Sequence, residues 1–198
     1  MKKSSENLYG NVPDTSPRAL LLIDVINDLN FPEGPALLRH ALPMARRLAR
    51  LKEQAKRRGV AVIYVNDNFG RWRSDFQRQI DHCLREGVPG RKIVELLRPD
   101  DDDYFVLKPA HSGFYSTTLD LLLKHLRATT VILTGVATNI CVLFTASDAY
   151  LRGYRVVVPR DCVAANSARL TKEALAHMRA VLKAEIASSR SLSWSKLL

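Results

Sequence analysis

Five apolar runs punctuate the chain without the polar alternation of a half-exposed strand: ALLLIDV (19 to 25), VAVIYVN (60 to 66), YFVLKP (104 to 109), TTVILTGV (129 to 136) and RVVVPRD (155 to 161). Strands that are apolar at successive residues bury both faces, as in a parallel sheet covered by helices on each side. Between them the apolar positions recur at helical spacing, which predicts helices over about 36 to 58, 74 to 86, 91 to 98, 117 to 127, 138 to 152 and 168 to 183. Gly59 and Gly153, each just past a basic last turn, read as helix stops. A weaker strand is expected near EIASS at the end of the chain. The alternation predicts a doubly wound α/β fold: a mainly parallel sheet of about six strands in a Rossmann-like three-layer sandwich.

Residues 1–16 are polar, with Gly10, Pro13 and Asp14, and read as a flexible N-terminal arm, leaving 17–198 as a single domain. A chain of 198 residues with 46% hydrophobic content is long enough for one sizeable core. The cysteines, Cys83, Cys141 and Cys162, are odd in number, widely spaced and without a CxxC pair. That argues against a disulfide framework or a thiolate metal knot and fits a reducing compartment. The first apolar run is short and interrupted by Asp24, so neither an export signal nor a membrane span is expected, and the cytoplasm is the expected location. The net charge of +10 is compatible with a polyanion partner, an acidic substrate or simple solubility, and does not choose among them.

In open parallel sheets, ligands bind beyond the carboxyl ends of the strands, where the strand order reverses. Three chemically capable side chains stand at such ends: Asp24 after the first strand, Lys108 after the third, and Cys141 after the fourth, where a helix begins. Each has a plain structural reading, as a turn aspartate, a solvated lysine and a small core hydrophobe. Together they form a nucleophile, a base and an electrostatic stabiliser. A helix N-terminus and a nearby ammonium would favour the thiolate. The preceding GVATN segment could present backbone NH groups, with that of Cys141, to a developing oxyanion. Thr138 and Asn139 read equally as ordinary N-cap residues.

From Ala19 to Ser189 the chain resembles the isochorismatase-like cysteine hydrolases, the superfamily of nicotinamidases and related small-amide hydrolases. The resemblance is carried by LLLIDVINDL with Asp24, LKPAHSGFYSTTLDLLL with Lys108, and LTGVATNICVLFTASDAYLRGYRVVVPRDCVA with Cys141. It implies a catalytic triad of Asp24, Lys108 and Cys141. It also implies a cis peptide between Val136 and Ala137 and an oxyanion site made by the NH groups of Ala137 and Cys141. Nicotinamidases carry a metal on an Asp-x-His pair and a further His. Here the equivalent stretch reads Asp67, Asn68, Phe69, and no His follows until His82, so neither a metal nor another cofactor is expected.

The pocket wall is expected from Asn66, Asn68, Arg71, Trp72 and Arg73, with Phe114 and Tyr115 from the aromatic segment after the lysine. His111 reads as an exposed loop residue. His82 and Cys83 are adjacent on a predicted helix and should point apart. The acidic run 100 to 103 reads as a solvated loop. The expected activity is metal-independent hydrolysis of a small amide or related C–N bond through a thioester. One alternative is a non-catalytic polyanion or nucleic-acid binder on a hydrolase fold. Another is a vinyl-ether hydrolase of the isochorismatase type, against which Cys141 argues. The expected partners are a small-molecule substrate and further copies of the chain, as a homodimer or larger homo-oligomer, rather than nucleic acid or a membrane.

Overall fold

A computed structural model describes residues 15–68 and 75–194. The described residues form seven strands: β1 Arg18–Ile23, β2 Ala61–Asp67, β3 Tyr104–Lys108, β4 Thr130–Val136, β5 Arg155–Pro159, β6 Val163–Ala164 and β7 Glu185–Ala187. The helices are α1 Gly34–Lys56, α2 Phe76–Cys83, α3 Arg91–Leu96, α4 Leu119–His125, α5 Leu143–Leu151 and α6 Ala168–Val181. The strands form a sheet of order β3-β2-β1-β4-β5-β7, with β6 pairing β4, and every pair is parallel. The doubly wound parallel sheet is therefore as expected, with one strand more than the apolar runs indicate. β6 is only two residues long and follows Cys162 closely, too short to leave a periodic signal.

Within the continuous apolar runs, successive side chains serve opposite layers. Leu20 and Leu22 of β1, with Val62 and Tyr64 of β2, pack under α1, α2 and α3. Ala19, Leu21 and Ile23, with Ile63 and Val65, pack under α4, α5 and α6. This explains why the runs are so nearly all apolar: each fully buried Leu or Ile stabilises the fold by about 1.5–3 kcal/mol, and in the central strands β1, β2 and β4 neither face meets water.

Several boundaries differ from expectation for identifiable reasons. α1 begins earlier, with Pro35 in its first turn, where a missing NH is harmless. The segment expected to run from 74 to 86 narrows to α2, opened by Asp75, whose side chain accepts from the Arg78 NH. Residues 138–152 are not one regular helix. They begin as a π-helical turn over Thr138–Val142 and become α-helical only at Leu143. Most of the N-terminal arm lies outside the described residues. Ser16, expected at its end, is buried and ties the chain to the sheet by donating to the Arg18 carbonyl and accepting from the Ala61 NH. No described helix is long and apolar enough to cross a membrane.

The acidic run is also more structured than a solvated loop. Lys56 bridges Asp100, Asp102 and Asp103 at 2.7, 2.5 and 3.1 Å, and Lys52 adds Asp103 at 2.6 Å. The three carboxylates are close enough together to suit a metal ion, but two lysine ammonium groups from α1 already supply the positive charge there.

The strand order reverses between β1 and β4, and the registers bring their ends level: Ile23 pairs with Val65 on one side and Gly135 on the other, while Asp67 pairs with Lys108. Gly135 is required here by its backbone, at φ +102°, and a Cβ would be driven into the Ile23 carbonyl. Gly135→Ala should cost about 3 kcal/mol or more. In a domain of this size that lowers the thermal unfolding midpoint by about 6–12 °C. An unchanged midpoint would show that β1 and β4 are not locked in this register.

Candidate active site

Three strand ends converge at the point of reversal. Asp24 follows β1 at φ 51°, a left-handed conformation that Asp tolerates better than most residues, and its NH donates to the Val65 carbonyl at 3.0 Å. That turn aims its carboxylate along the sheet edge, where one oxygen accepts the Asp67 NH at 2.7 Å and the other lies 3.0 Å from Lys108 Nζ. Asn66 fixes the chain that follows: its side-chain amide donates to the Ile26 carbonyl at 2.6 Å and its oxygen accepts the Ile26 NH at 3.4 Å.

Lys108, the last residue of β3, is fully buried. Its ammonium lies 3.0 Å from Asp24, 3.4 Å from Asp67 Oδ2 and 3.6 Å from Cys141 Sγ, and donates to the Ala110 carbonyl at 3.1 Å. Asp24, Lys108 and Cys141, 117 residues apart in sequence from first to last, thus meet at one point with the ammonium between carboxylate and sulfur.

Cys141 sits in the π-helical turn after β4. The Val136–Ala137 peptide is cis. The Ala137 carbonyl accepts from both the Ile140 and Val142 NH groups, at 3.0 and 3.2 Å, and this wide turn sets Cys141 ahead of the regular helix. Such turns recur at functional positions. Thr145 clamps the turn to the loop after Lys108: its hydroxyl donates to the Cys141 carbonyl at 2.7 Å and accepts the Gly113 NH at 3.0 Å. Thr138 does not cap the helix as expected. No side chain caps this turn, and the Thr138 hydroxyl is buried without a hydrogen-bond partner among the described residues.

The electrostatics correct one expectation. Burial pushes the Cys141 thiol up to about 12, the Asp24 charge adds to this, and the opposing pull of Lys108 is too small to hold a thiolate. Burial likewise raises the Asp24 carboxyl, with the Lys108 charge working against it. Burial disfavours the Lys108 ammonium, but Asp24 and Cys141 more than compensate and keep it protonated. The resting site therefore holds a protonated Lys108 beside a neutral thiol, with an Asp24 carboxyl that burial raises and Lys108 draws back down.

At pH 7 a thiol near 12 is ionised in only about one molecule in 10⁵. Alkylation of Cys141 by iodoacetamide should therefore be slower than that of a free cysteine and rise about tenfold per pH unit between 7 and 10. Rapid labelling with a plateau below pH 7 would contradict this ionisation state.

The other expected residues divide. His111, read as an exposed loop residue, is exposed, yet its Nδ1 lies 3.9 Å from Cys141 Sγ and its ring leans against Phe144, tilted by 38° with centroids 5.6 Å apart. Its closeness in sequence to Lys108 was the only signal for it. Asn66 is fully buried and bonded to the backbone of the β1 loop, so it shapes the site rather than lining a pocket. Asn68 is buried, and its NH donates to the Lys108 carbonyl at 3.0 Å. Phe114 is a core residue, stacked with Tyr154 and covered by the Arg152 guanidinium, not a pocket wall. Tyr115 is 61% exposed. Arg71, Trp72 and Arg73 lie outside the described residues. His82 and Cys83 do point apart: the first is exposed and 3.0 Å from Asp28, and the second is buried in the core.

The fold has parallels among known proteins. The Isochorismatase domain profile matches residues 18–190, and the chain belongs to the isochorismatase family of hydrolases. It is 40% identical over 175 residues to YaaI, an isochorismatase family protein of Bacillus subtilis, covering 88% of this chain and 96% of YaaI. Among solved structures it is similar to N-carbamoylsarcosine amidase from Thermoplasma acidophilum, with 31% identity and a TM-score of 0.67 over 89% of this chain and 98% of that one. It is also similar to the pyrazinamidase/nicotinamidase of Streptococcus mutans, with 29% identity and a TM-score of 0.67 over 85% and 99% of the respective chains.

Proposed function

We propose that the chain is a cysteine hydrolase that cleaves a small carboxamide or related C–N bond through a thioester on Cys141, without a metal. The observation that carries this reading is the buried Lys108 ammonium held 3.0 Å from Asp24 and 3.6 Å from the Cys141 sulfur. The similarity to two amide-cleaving enzymes supports the substrate class.

The resting ionisation suits the chemistry. As the sulfur attacks the carbonyl carbon, its proton passes to Asp24, whose raised carboxyl is a better acceptor than an ordinary aspartate. The oxyanion is taken up by the NH groups of Ala137 and Cys141. Asp24, now a carboxylic acid, protonates the departing nitrogen. The C–N bond breaks and ammonia or an amine leaves the acyl group on sulfur. Water then enters, Asp24 removes its proton, and the hydroxide attacks the thioester. The Cys141 thiolate departs and recovers its proton from Asp24, releasing a carboxylic acid. Lys108 stays protonated throughout, stabilising the anionic charge that moves between oxygen and sulfur.

The residues present do not fit the metal site of nicotinamidases. Asp67 is directed at Lys108 Nζ, 3.4 Å away, and Asn68 and Phe69 follow where imidazoles would be needed. Incubation with a panel of small carboxamides and ureides should release ammonia from at least one of them at a rate unchanged by chelator. A rate abolished by chelator and restored by a divalent cation would exclude the metal-independent reading.

A further inference from the structure

Where α1, α6, β6 and the segment after β5 meet, a cleft of about 480 Å³ opens that contains none of Asp24, Lys108 or Cys141. Its floor is apolar, with Met44, Leu175 and Ile186, and its sides carry Arg47, Arg160, Lys172 and Arg179. These four cations have no salt-bridge partner among the described residues, whereas Arg78, Arg91, Lys124, Arg152, Arg155 and Arg169 each pair with a carboxylate. Asp161, the one acidic residue in the lining, turns both oxygens to Ser189, accepting from its NH and its hydroxyl at 2.7 Å. A smaller adjoining recess shares Arg47 and Asp161 and adds Arg50 and Arg190.

From this arrangement we infer a second, non-catalytic binding site for an organic polyphosphate of nucleotide size. Four cations face a single carboxylate, Asp161, which Arg47 helps to keep ionised, and the surplus positive charge attracts a multivalent anion whose phosphate oxygens arginine forks match. The apolar floor adds a seat for a flat or hydrophobic body, and the volume falls in the range of small-ligand pockets. The anion would lie across the mouth between Arg47 of α1 and Arg160 after β5, with Lys172 and Arg179 of α6 closing the far side.

The test is calorimetric titration of the full chain with ATP, inorganic pyrophosphate and adenosine at low ionic strength. ATP should bind at one site per chain, more tightly than pyrophosphate, and adenosine should not bind detectably. Combining Arg47→Ala with Arg160→Ala should weaken ATP at least about thirtyfold, as expected for two lost charge-assisted contacts, while circular dichroism stays that of the parent. Cys141→Ala should bind ATP as the parent does, which separates this site from the proposed chemistry. Absence of ATP binding to the parent, equal binding by the double variant, or binding of a twenty-nucleotide single-stranded RNA with none of ATP would each overturn the inference.

Discussion

Replacing Cys141 with alanine is expected to lower kcat/KM on any amide the chain cleaves by about 10⁴-fold or more, because the variant has no atom that can hold the acyl group. That loss corresponds to about 5.5 kcal/mol of transition-state stabilisation. Stability should change by less than about 1 kcal/mol, since the sulfur is half-buried and contributes no ion pair. Cys141→Ser should lose nearly as much activity. Its hydroxyl keeps the size and hydrogen bonding of the thiol but is a far weaker acid, and Asp24 is too weak a base to deprotonate it. Initial rates of ammonia release at several substrate concentrations, alongside thermal unfolding, check both expectations. Substantial turnover by the alanine variant would rule out covalent catalysis at this position.

The second large effect belongs to Asp24→Asn, which separates reactivity from catalysis. Asparagine accepts the left-handed backbone at this position and can still receive the Asp67 NH, so the loop should keep its course. The carboxylate that faces Lys108 at 3.0 Å is gone, leaving a fully buried ammonium with Asp67 at 3.4 Å, the Ala110 carbonyl and the Cys141 sulfur. A stability loss of about 3 kcal/mol is expected from this less fully compensated charge. Turnover should fall by about 10³-fold or more with the proton acceptor removed. Alkylation of Cys141 at pH 7 should nevertheless become at least about tenfold faster. The Asp24 charge is one of the causes that hold the thiol up, and once it is gone only burial opposes Lys108. A joint fall in turnover and alkylation would instead mean that Asp24 chiefly keeps the sulfur accessible.

The legible parts of this structure were those in which one residue type has one physical use. Runs such as LLLI in β1 and VVV in β5 can only be buried on both faces, so the parallel sheet and its helical layers followed from them. Because ligands in such sheets lie beyond the strand ends, the residues just past β1 and β3 and the cysteine after β4 stood out before any geometry was known. What was not legible depended on distance and burial. The thiol could not be recognised as neutral, because its ionisation balances burial and Asp24 against Lys108 over a few ångströms. Asn66 and Phe114 suited a pocket wall by type, but one is consumed by the backbone of Ile26 and the other by the core. The partnership of Lys52 and Lys56 with the acidic run joins α1 to a loop more than forty residues away, and no local pattern in either segment announces it.

The same contrast explains how the site is held. The carboxylate, the ammonium and the thiol are carried by separate strands, and each loop is pinned by bonds that take no part in the proposed reaction. Asn66 holds the turn after β1, Thr145 joins the Cys141 turn to Gly113, and Ala137 gathers the flanking amides. Placing reacting groups on the ends of a rigid sheet fixes their separation more firmly than a mobile loop could.

The most direct test is mass spectrometry of the intact chain after acid quench during turnover of an ammonia-releasing substrate, followed by peptide mapping. A mass increase equal to the acyl portion of the substrate, confined to the peptide that contains Cys141 and removed by hydroxylamine, is the result expected. Ammonia release with no adduct trapped under any quench time, or an adduct on Cys83 or Cys162 instead, would contradict a thioester formed where Asp24, Lys108 and Cys141 meet.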